Sequence, residues 1–215
     1  MKASSLIRQA LLIAAAFTLF VTAVAAAEIQ VMSSGGFKAA YLELMDKLVK
    51  DGKIVPSSRT DLARSLIGAA VRAGAPKPDL SSVDSFKLAL ENAKSIAYSD
   101  SASGVYIQNV LYSRLGVSDA IKAKSKMIPA DPVGEIVARG DAELGFQQLS
   151  ELKPVSGIDI VGLIPADIQK VTIFSAGISV TAREPDAGAA LIKFLAAPTA
   201  AAAIEKSGME PSGTK

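Results

Sequence analysis

The sequence contains no cysteine, no histidine and no tryptophan, and aromatic residues make up only 5% of its 215 residues. Without cysteine the chain can form no disulfide and has no thiol nucleophile. Without cysteine and histidine it also lacks the usual ligands of zinc and haem sites and the imidazole of a catalytic triad. The composition therefore excludes most enzyme mechanisms, and we expect no metal and no cofactor.

The charges of the chain nearly balance, with 23 basic and 21 acidic residues. The net charge of +2 comes from Lys2 and Arg8, because the residues after Ala27 carry equal numbers of both signs. Proteins that bind nucleic acid or anionic lipid usually carry a basic surface. The balance therefore predicts that neither is a partner, and the hydrophobic fraction of 50% is typical of a globular protein.

The first 27 residues have the three-part organisation of a secretory signal peptide. Lys2 and Arg8 are followed by an apolar run over residues 10–24 and then by small residues up to Ala27. The alternative is a membrane anchor, but the run is short for a span of about 20 residues. We expect cleavage after Ala25 or Ala27 and a soluble protein exported to the periplasm.

Short apolar runs alternate with amphipathic stretches along the rest of the chain, which predicts an α/β fold with a parallel sheet. Ligands of such folds bind at the carboxyl ends of the strands. We expect strands over residues 28–32, 65–71, 95–98, 126–129, 143–147, 158–163 and 171–180. We expect helices over residues 37–50, 83–92, 105–115, 133–139, 186–196 and 199–206.

Two loops rich in serine and glycine follow predicted strands and precede predicted helices, at residues 33–36 and 99–104. Such loops direct backbone N–H groups and hydroxyls toward an anion, and glycine allows the anion to approach the backbone closely. The alternative is that both loops only cap helices and form turns. Asp100 also opposes an anion unless its carboxylate points away.

Five segments of the chain resemble the molybdate-type substrate-binding proteins of ABC importers. They are EIQVMSSGGF at residues 28–37, IAYSDSASGVY at 96–106, RGDAELGFQQ at 139–148, VTIFSAGI at 171–178 and ALIKFLAAP at 190–198. The resemblance implies a periplasmic binding protein-like (type II) fold of two lobes that close over a ligand. Residues 28–72 and 171–215 would form lobe I, residues 73–170 lobe II, and the hinge would lie near 70–74 and 175–179.

The resemblance, together with the two loops, also predicts the ligand site. It places Ser34, Ser103 and Val133 where the family donates hydrogen bonds to an oxyanion. It places Gln148 where molybdate binders often have tyrosine, so the hydrogen-bond donor would have a different reach. The alternative is that this glutamine is a solvated residue at the end of a strand and does not contact the ligand. The full predicted site comprises Ser33, Ser34, Gly35, Ser101, Ser103, Gly104, Val133 and Gln148.

The function that the resemblance implies is that of a periplasmic solute-binding component of an ABC importer. Its ligand would be a small oxyanion, molybdate or a similar anion, and its protein partner the membrane permease. Such a protein closes around its ligand and catalyses nothing, so we expect no enzyme activity, and we expect a monomer.

The sequence departs from the family between Leu42 and Lys53, where residues 44–47 run directly from one predicted helix into a later one. We interpret this as a deletion that shortens lobe I. One alternative function is therefore a shortened paralogue that keeps the fold or the permease-facing surface without binding a ligand. A less favoured alternative is an exported serine hydrolase, because Ser150 and Lys153 have the Ser-x-x-Lys spacing, although Pro154 interrupts the helix that this chemistry requires.

Overall fold

The computed structural model describes residues 51–213, so the predicted signal peptide, the first strand, the first helix and the junction at 44–47 lie outside the described residues. The described chain contains two sheets. The eight strands are β1 (Thr60–Ser65), β2 (Ile67–Arg72), β3 (Ile96–Ser99), β4 (Ser125–Ile128), β5 (Leu144–Gln148), β6 (Ile158–Leu163), β7 (Thr172–Ala176) and β8 (Glu210–Pro211). The helices are α1 (Val83–Asn92), α2 (Ala102–Tyr106), α3 (Tyr112–Leu115), α4 (Asp119–Ala123), α5 (Val133–Arg139), α6 (Leu149–Leu152), α7 (Pro185–Leu195) and α8 (Ala201–Lys206).

The larger sheet has the strand order β4-β3-β5-β2-β6. β3 pairs in parallel with β4 and β5, whereas β2 pairs antiparallel with β5 and β6. Helices cover both faces, because apolar side chains of β3 and β5 face α1 and residues 107–115 on one side and α5 on the other. The hydrophobic core of the described residues lies around this sheet.

The helix that follows β3 runs without interruption from Ala102 to Leu115 but changes type on the way. One π turn, Ile107–Leu111, separates α2 from α3. Ile107, Leu111 and Tyr112 are buried against the sheet, and Gly116 ends the helix with a left-handed backbone (φ +62°). The helix is therefore held at its carboxyl end by the core, while its amino end faces the loop after β3.

The smaller sheet is antiparallel, with the order β7-β1-β8. Its packing is sparse in the described part of the chain, since α7 contributes no buried residue and Phe194 is 63% exposed. Within residues 51–213 no single helix is long and apolar enough to cross a membrane; only α7 together with residues 198–206 reaches that length, with a bend of 61°.

The chain passes between the two sheets at two places. Leu66 alone connects β1 with β2, and residues 164–171 connect β6 with β7. The side chain of Gln169 joins these two connections through hydrogen bonds to the backbone of Ile67. The crossings therefore differ from the hinge positions predicted at 70–74 and 175–179, which lie mainly within or beside β2 and β7.

Several sequence predictions need correction. The expected parallel sheet is a mixed one: β2 comes directly from the smaller sheet and runs antiparallel to β5 and β6. The strand expected over residues 65–71 corresponds to β2, and β1 was not predicted. The strand expected over 171–180 ends at Ala176, and the helix expected to start at Val105 starts at Ala102.

Candidate ligand-binding site

Three serine hydroxyls form a buried cluster at the end of β3. Ser99 Oγ lies 2.7 Å from Ser101 Oγ and 3.1 Å from Ser103 Oγ, and the last two oxygens are 3.3 Å apart. All three residues are buried. Each hydroxyl can donate one hydrogen bond and accept others. The three hydroxyls can therefore hydrogen-bond to one another, or rotate to donate to a ligand.

Gly104 brings the helix very close to β3. A Cβ atom at this position would overlap the carbonyl oxygen of Ser99, so only glycine fits here. The absence of a side chain therefore allows the first turn of the helix, with its free N–H groups, to pack on the strand end that carries the serines.

A cavity of about 620 Å³ opens beside the serine cluster, and we call it the serine cavity. Its volume falls in the range of small-molecule sites in proteins. Its walls come from the loop after β3, the loop before α5, the end of β5, and α6 with the residues after it. The lining residues are Ser99, Asp100, Ser101, Ala130, Asp131, Pro132, Glu135, Gln147, Glu151, Pro154, Val155 and Ser156.

The loop before α5 contains a residue with a left-handed backbone, and a backbone N–H at its end is hydrogen-bonded within the protein. Ala130 has a φ of +65°, a conformation that side chains disfavour and that often occurs at functional sites. The N–H of Val133 donates to Gln147 Oε1 at 3.0 Å, and both residues are buried. The N–H that the sequence predicted as a ligand donor thus has an intramolecular partner in this structure.

Gln148 points away from the serine cavity toward the smaller sheet. Its Nε2 donates to Thr172 Oγ1 at 2.8 Å, and its Oε1 is buried without a hydrogen-bond partner among the described residues. Gln148 and Thr172 are both fully buried. Gln148 therefore links β5 with the start of β7, at the crossing between the two sheets.

The charges around the serine cavity are acidic. Four of its lining residues are acidic, and none of its described lining residues is lysine or arginine; the four are Asp100, Asp131, Glu135 and Glu151. Within residues 51–213 no group of three or more acidic, cysteine or histidine side chains is arranged to hold a metal ion. The site offers neutral hydroxyl donors and carboxylates that can accept protons.

The structure brings some of the predicted site residues together and separates others. Ser101, Ser103 and Gly104 meet at the start of the helix, whereas Ser33, Ser34 and Gly35 lie outside the described residues. Sequence reasoning did not select Ser99 or Glu151. The serine spacing at 99, 101 and 103 was a usable signal for Ser99, but nothing local distinguished Glu151 from a solvated carboxylate.

The Ser-x-x-Lys spacing does not assemble a hydrolase site. Lys153 Nζ donates to the carbonyl oxygen of Lys206 at 3.0 Å, on α8. Ser150 Oγ instead lies 3.5 Å from Ser65 Oγ at the crossing between the sheets. The two side chains have separate partners, so the hydrolase alternative finds no support in this geometry.

A model of the bacterial extracellular solute-binding protein family matches residues 36–210. A curated relative from Pseudomonas sp, named aconitate isomerase, is 55% identical over 167 residues. That match covers 78% of this chain and 64% of the relative, so the chain spans less than two thirds of the relative's length.

Solved structures of periplasmic binding proteins share the fold. The substrate-binding domain of a putative molybdenum ABC transporter from Clostridium difficile superposes with a TM-score of 0.61 at 19% identity, covering 78% of this chain and 72% of that one. The periplasmic molybdate-binding protein of Azotobacter vinelandii gives 0.59 at 24% identity, covering 78% and 74%. The predicted two-lobed α/β fold is thus confirmed. Sequence identities this low do not identify the ligand of this chain.

The prediction that the protein is not an enzyme is wrong, because a relative 55% identical to it is named for an enzyme activity. The missing histidine and cysteine excluded thiol and imidazole chemistry only. Carboxylates can also transfer protons, and four of them line the serine cavity.

Proposed function

Because the chain belongs to the bacterial extracellular solute-binding protein family, we propose that it binds a small organic polyanion, an unsaturated tricarboxylate of the aconitate class, and interconverts its double-bond isomers. The observation that carries this proposal is the 55% identity with an aconitate isomerase. Identity at this level over 167 residues is a stronger guide to the ligand than a shared fold, since one fold hosts many functions.

The serine cavity is suited to one end of such a ligand. Ser99 and Ser101 present hydroxyls at its wall, and a carboxylate accepts hydrogen bonds from hydroxyls and from free N–H groups at a helix start. Its volume of about 620 Å³ accommodates a six-carbon acid. The acidic residues of the lining would repel a ligand carboxylate that lies beside them. We therefore place one carboxylate of the ligand on the side of the cavity formed by the serines.

A tetrahedral oxyanion such as molybdate is the second candidate ligand. The buried hydroxyls of Ser99, Ser101 and Ser103 are neutral donors, which suit a dehydrated oxyanion as well as a carboxylate. We further propose that residues 1–27 direct export to the periplasm and are removed there. In that compartment the protein would act as a monomer and deliver its solute to an ABC permease.

One experiment distinguishes the two candidate ligands. The purified protein is titrated calorimetrically with trans-aconitate, cis-aconitate, molybdate and sulfate, and its melting temperature is measured with each at millimolar concentration. Each aconitate isomer is then incubated with the protein, and the other isomer is quantified by chromatography. We expect the aconitates to bind and to interconvert. Binding of molybdate alone would support the transport candidate, and binding of none would support the non-binding paralogue.

A further inference from the structure

We propose that Glu151 is the catalytic base that moves a proton between two carbon atoms of the substrate. This inference rests on the proposed function. An aconitate has a methylene group next to its double bond, so its isomers can interconvert when a base removes a methylene proton and a proton returns to the resulting allylic carbanion. The same carboxylate can perform both steps, and no oxidant, metal or second substrate is required.

The structure holds Glu151 at a fixed place in the cavity wall. It lies in α6, which begins directly after β5, and Leu149 at the start of this helix donates its N–H to Leu66 O at 2.9 Å. Leu152, the next residue, is completely buried. The backbone of Glu151 is therefore anchored on both sides, and Glu151 occupies a rigidly supported place in the wall of the serine cavity.

Glu151 is half-buried, which separates it from Asp131 and Glu135 but not from Asp100. One of its carboxylate oxygens, Oε2, is shielded from solvent, whereas Asp131 and Glu135 are exposed residues. Asp100 is half-buried beside the serine cluster, on the side where we place a substrate carboxylate. A base that removes a proton from carbon works better where water is excluded. The geometry thus favours Glu151 over the other three.

The serine hydroxyls of the cavity stabilise the charge that develops during the proton transfer. When the carbon–hydrogen bond breaks, its electron pair spreads over the allylic carbons into the conjugated carboxylate, which gains negative charge. Hydroxyls of Ser99 and Ser101 can donate to that carboxylate. The proton then passes from Glu151 to the other end of the allylic system, and the double bond moves to the former methylene carbon. The conformation about that carbon–carbon bond in the bound substrate decides which isomer forms. The carboxylate of Glu151 is regenerated unchanged.

Glu151→Gln tests the assignment because it keeps the shape of the side chain and removes the proton acceptor. We expect turnover of trans-aconitate to fall by at least about 100-fold while the affinity measured by calorimetry changes by less than about threefold. Deuterium incorporation at the methylene carbon in D₂O, followed by NMR, should fall in parallel. If Glu151 had only a structural role, the substitution would not lower deuterium exchange without also lowering the affinity.

Two further variants make the result decisive. Glu91→Gln removes an exposed carboxylate of α1 that does not line the serine cavity and should keep turnover within about threefold of the wild type. Glu151→Asp keeps a carboxylate at a shorter reach and should retain more exchange than Glu151→Gln; it also serves if Glu151→Gln fails to fold.

The outcomes separate the two proposals. Wild-type turnover by Glu151→Gln would overturn the role of Glu151 and leave the isomerase proposal standing. Binding of trans-aconitate by the wild type without turnover or exchange would overturn the base and leave a binding protein. The absence of binding would overturn both.

Discussion

The side-chain amide of Gln169 pairs with the backbone of Ile67 as a neighbouring strand would. Gln169 Oε1 accepts the N–H of Ile67 at 2.9 Å, and Nε2 donates to the carbonyl oxygen of Ile67 at 3.0 Å. Nε2 also lies 3.3 Å from the carbonyl oxygen of Ile164. Because Ile67 directly follows one crossing between the sheets and Gln169 lies in the other, this amide couples the two connections.

Gln169→Ala should destabilise the protein by about 2 kcal/mol, because the N–H of the buried Ile67 loses its partner, while its C=O keeps the N–H of Ile164. The measurement is urea unfolding followed by circular dichroism. Asn109→Ala, which truncates an exposed amide, serves as the control and should change the free energy of unfolding by less than about 0.5 kcal/mol. Equal effects of the two substitutions would contradict the coupling role of Gln169.

Gly104→Ala should prevent normal folding or destabilise it by more than about 3 kcal/mol. The added Cβ would overlap the backbone of Ser99, which cannot move without breaking β3. Gly188 is the matched control in α7, since the nearest atom to its Cβ is 3.9 Å away. Gly188→Ala should be neutral or stabilising by about 0.5–1 kcal/mol through helix propensity. Thermal melts of both variants decide the comparison, and a stable Gly104→Ala protein would refute the close approach.

Ser101→Ala should weaken binding of trans-aconitate by about tenfold, equivalent to one hydrogen bond of roughly 1.4 kcal/mol. The stability of the protein should hardly change, because Ser99 and Ser103 keep their own contact of 3.1 Å. Calorimetric titration measures the affinity, with the exposed Ser113→Ala as control. An affinity unaffected by Ser101→Ala would remove the serine cluster from the proposed site.

Stability at high pH should depend on Tyr112. Burial raises the pKa of Tyr112 to about 12 from its ordinary value of 10.0, against the smaller opposing effect of the hydrogen bond with Ser125. A raised pKa in the folded state means that the contribution of this phenol is complete below pH 10 and is lost between pH 10 and 12. The loss should be on the order of 2–3 kcal/mol.

Urea unfolding of the wild type and of Tyr112→Phe at several pH values from 9 to 12 measures this loss. Lysines titrate in both proteins, so the difference between the two curves isolates the phenol. The wild type should lose stability more steeply than Tyr112→Phe across this interval. Parallel curves would show that Tyr112 ionises as easily in the folded as in the unfolded state.

The elements that the sequence predicted with correct bounds carry their own start and stop signals. α1 begins after Ser82, whose side chain forms a reciprocal capping box with Ser85. α5 follows Pro132 and ends at Gly140 in a left-handed conformation. β6 was likewise predicted at its observed bounds, 158–163. These features depend on neighbours within a few residues, which a pattern can detect.

The features that the sequence did not reveal depend on distant partners. Nothing near Leu66 indicates that the chain leaves one sheet and enters another. The pairing of Gln169 with Ile67 joins residues 102 positions apart. In the site, the loop of residues 99–104 was predicted because its composition is local, whereas the place of Glu151 in the cavity follows from the packing of α6 beside the loop before α5. The predicted deletion near residues 44–47 and the roles of Ser33, Ser34 and Gly35 remain predictions.

The π turn at Ile107–Leu111 has a consequence for evolution within the family. Such a turn holds one residue more than an α-helical turn and absorbs it locally, so the segments on either side keep their facing. A homologue without the additional residue would form an uninterrupted α-helix that still presents its first turn to β3 and its last turn to the core. Correct alignment of two such chains then requires a single-residue gap in the middle of a helix, where gaps are ordinarily avoided.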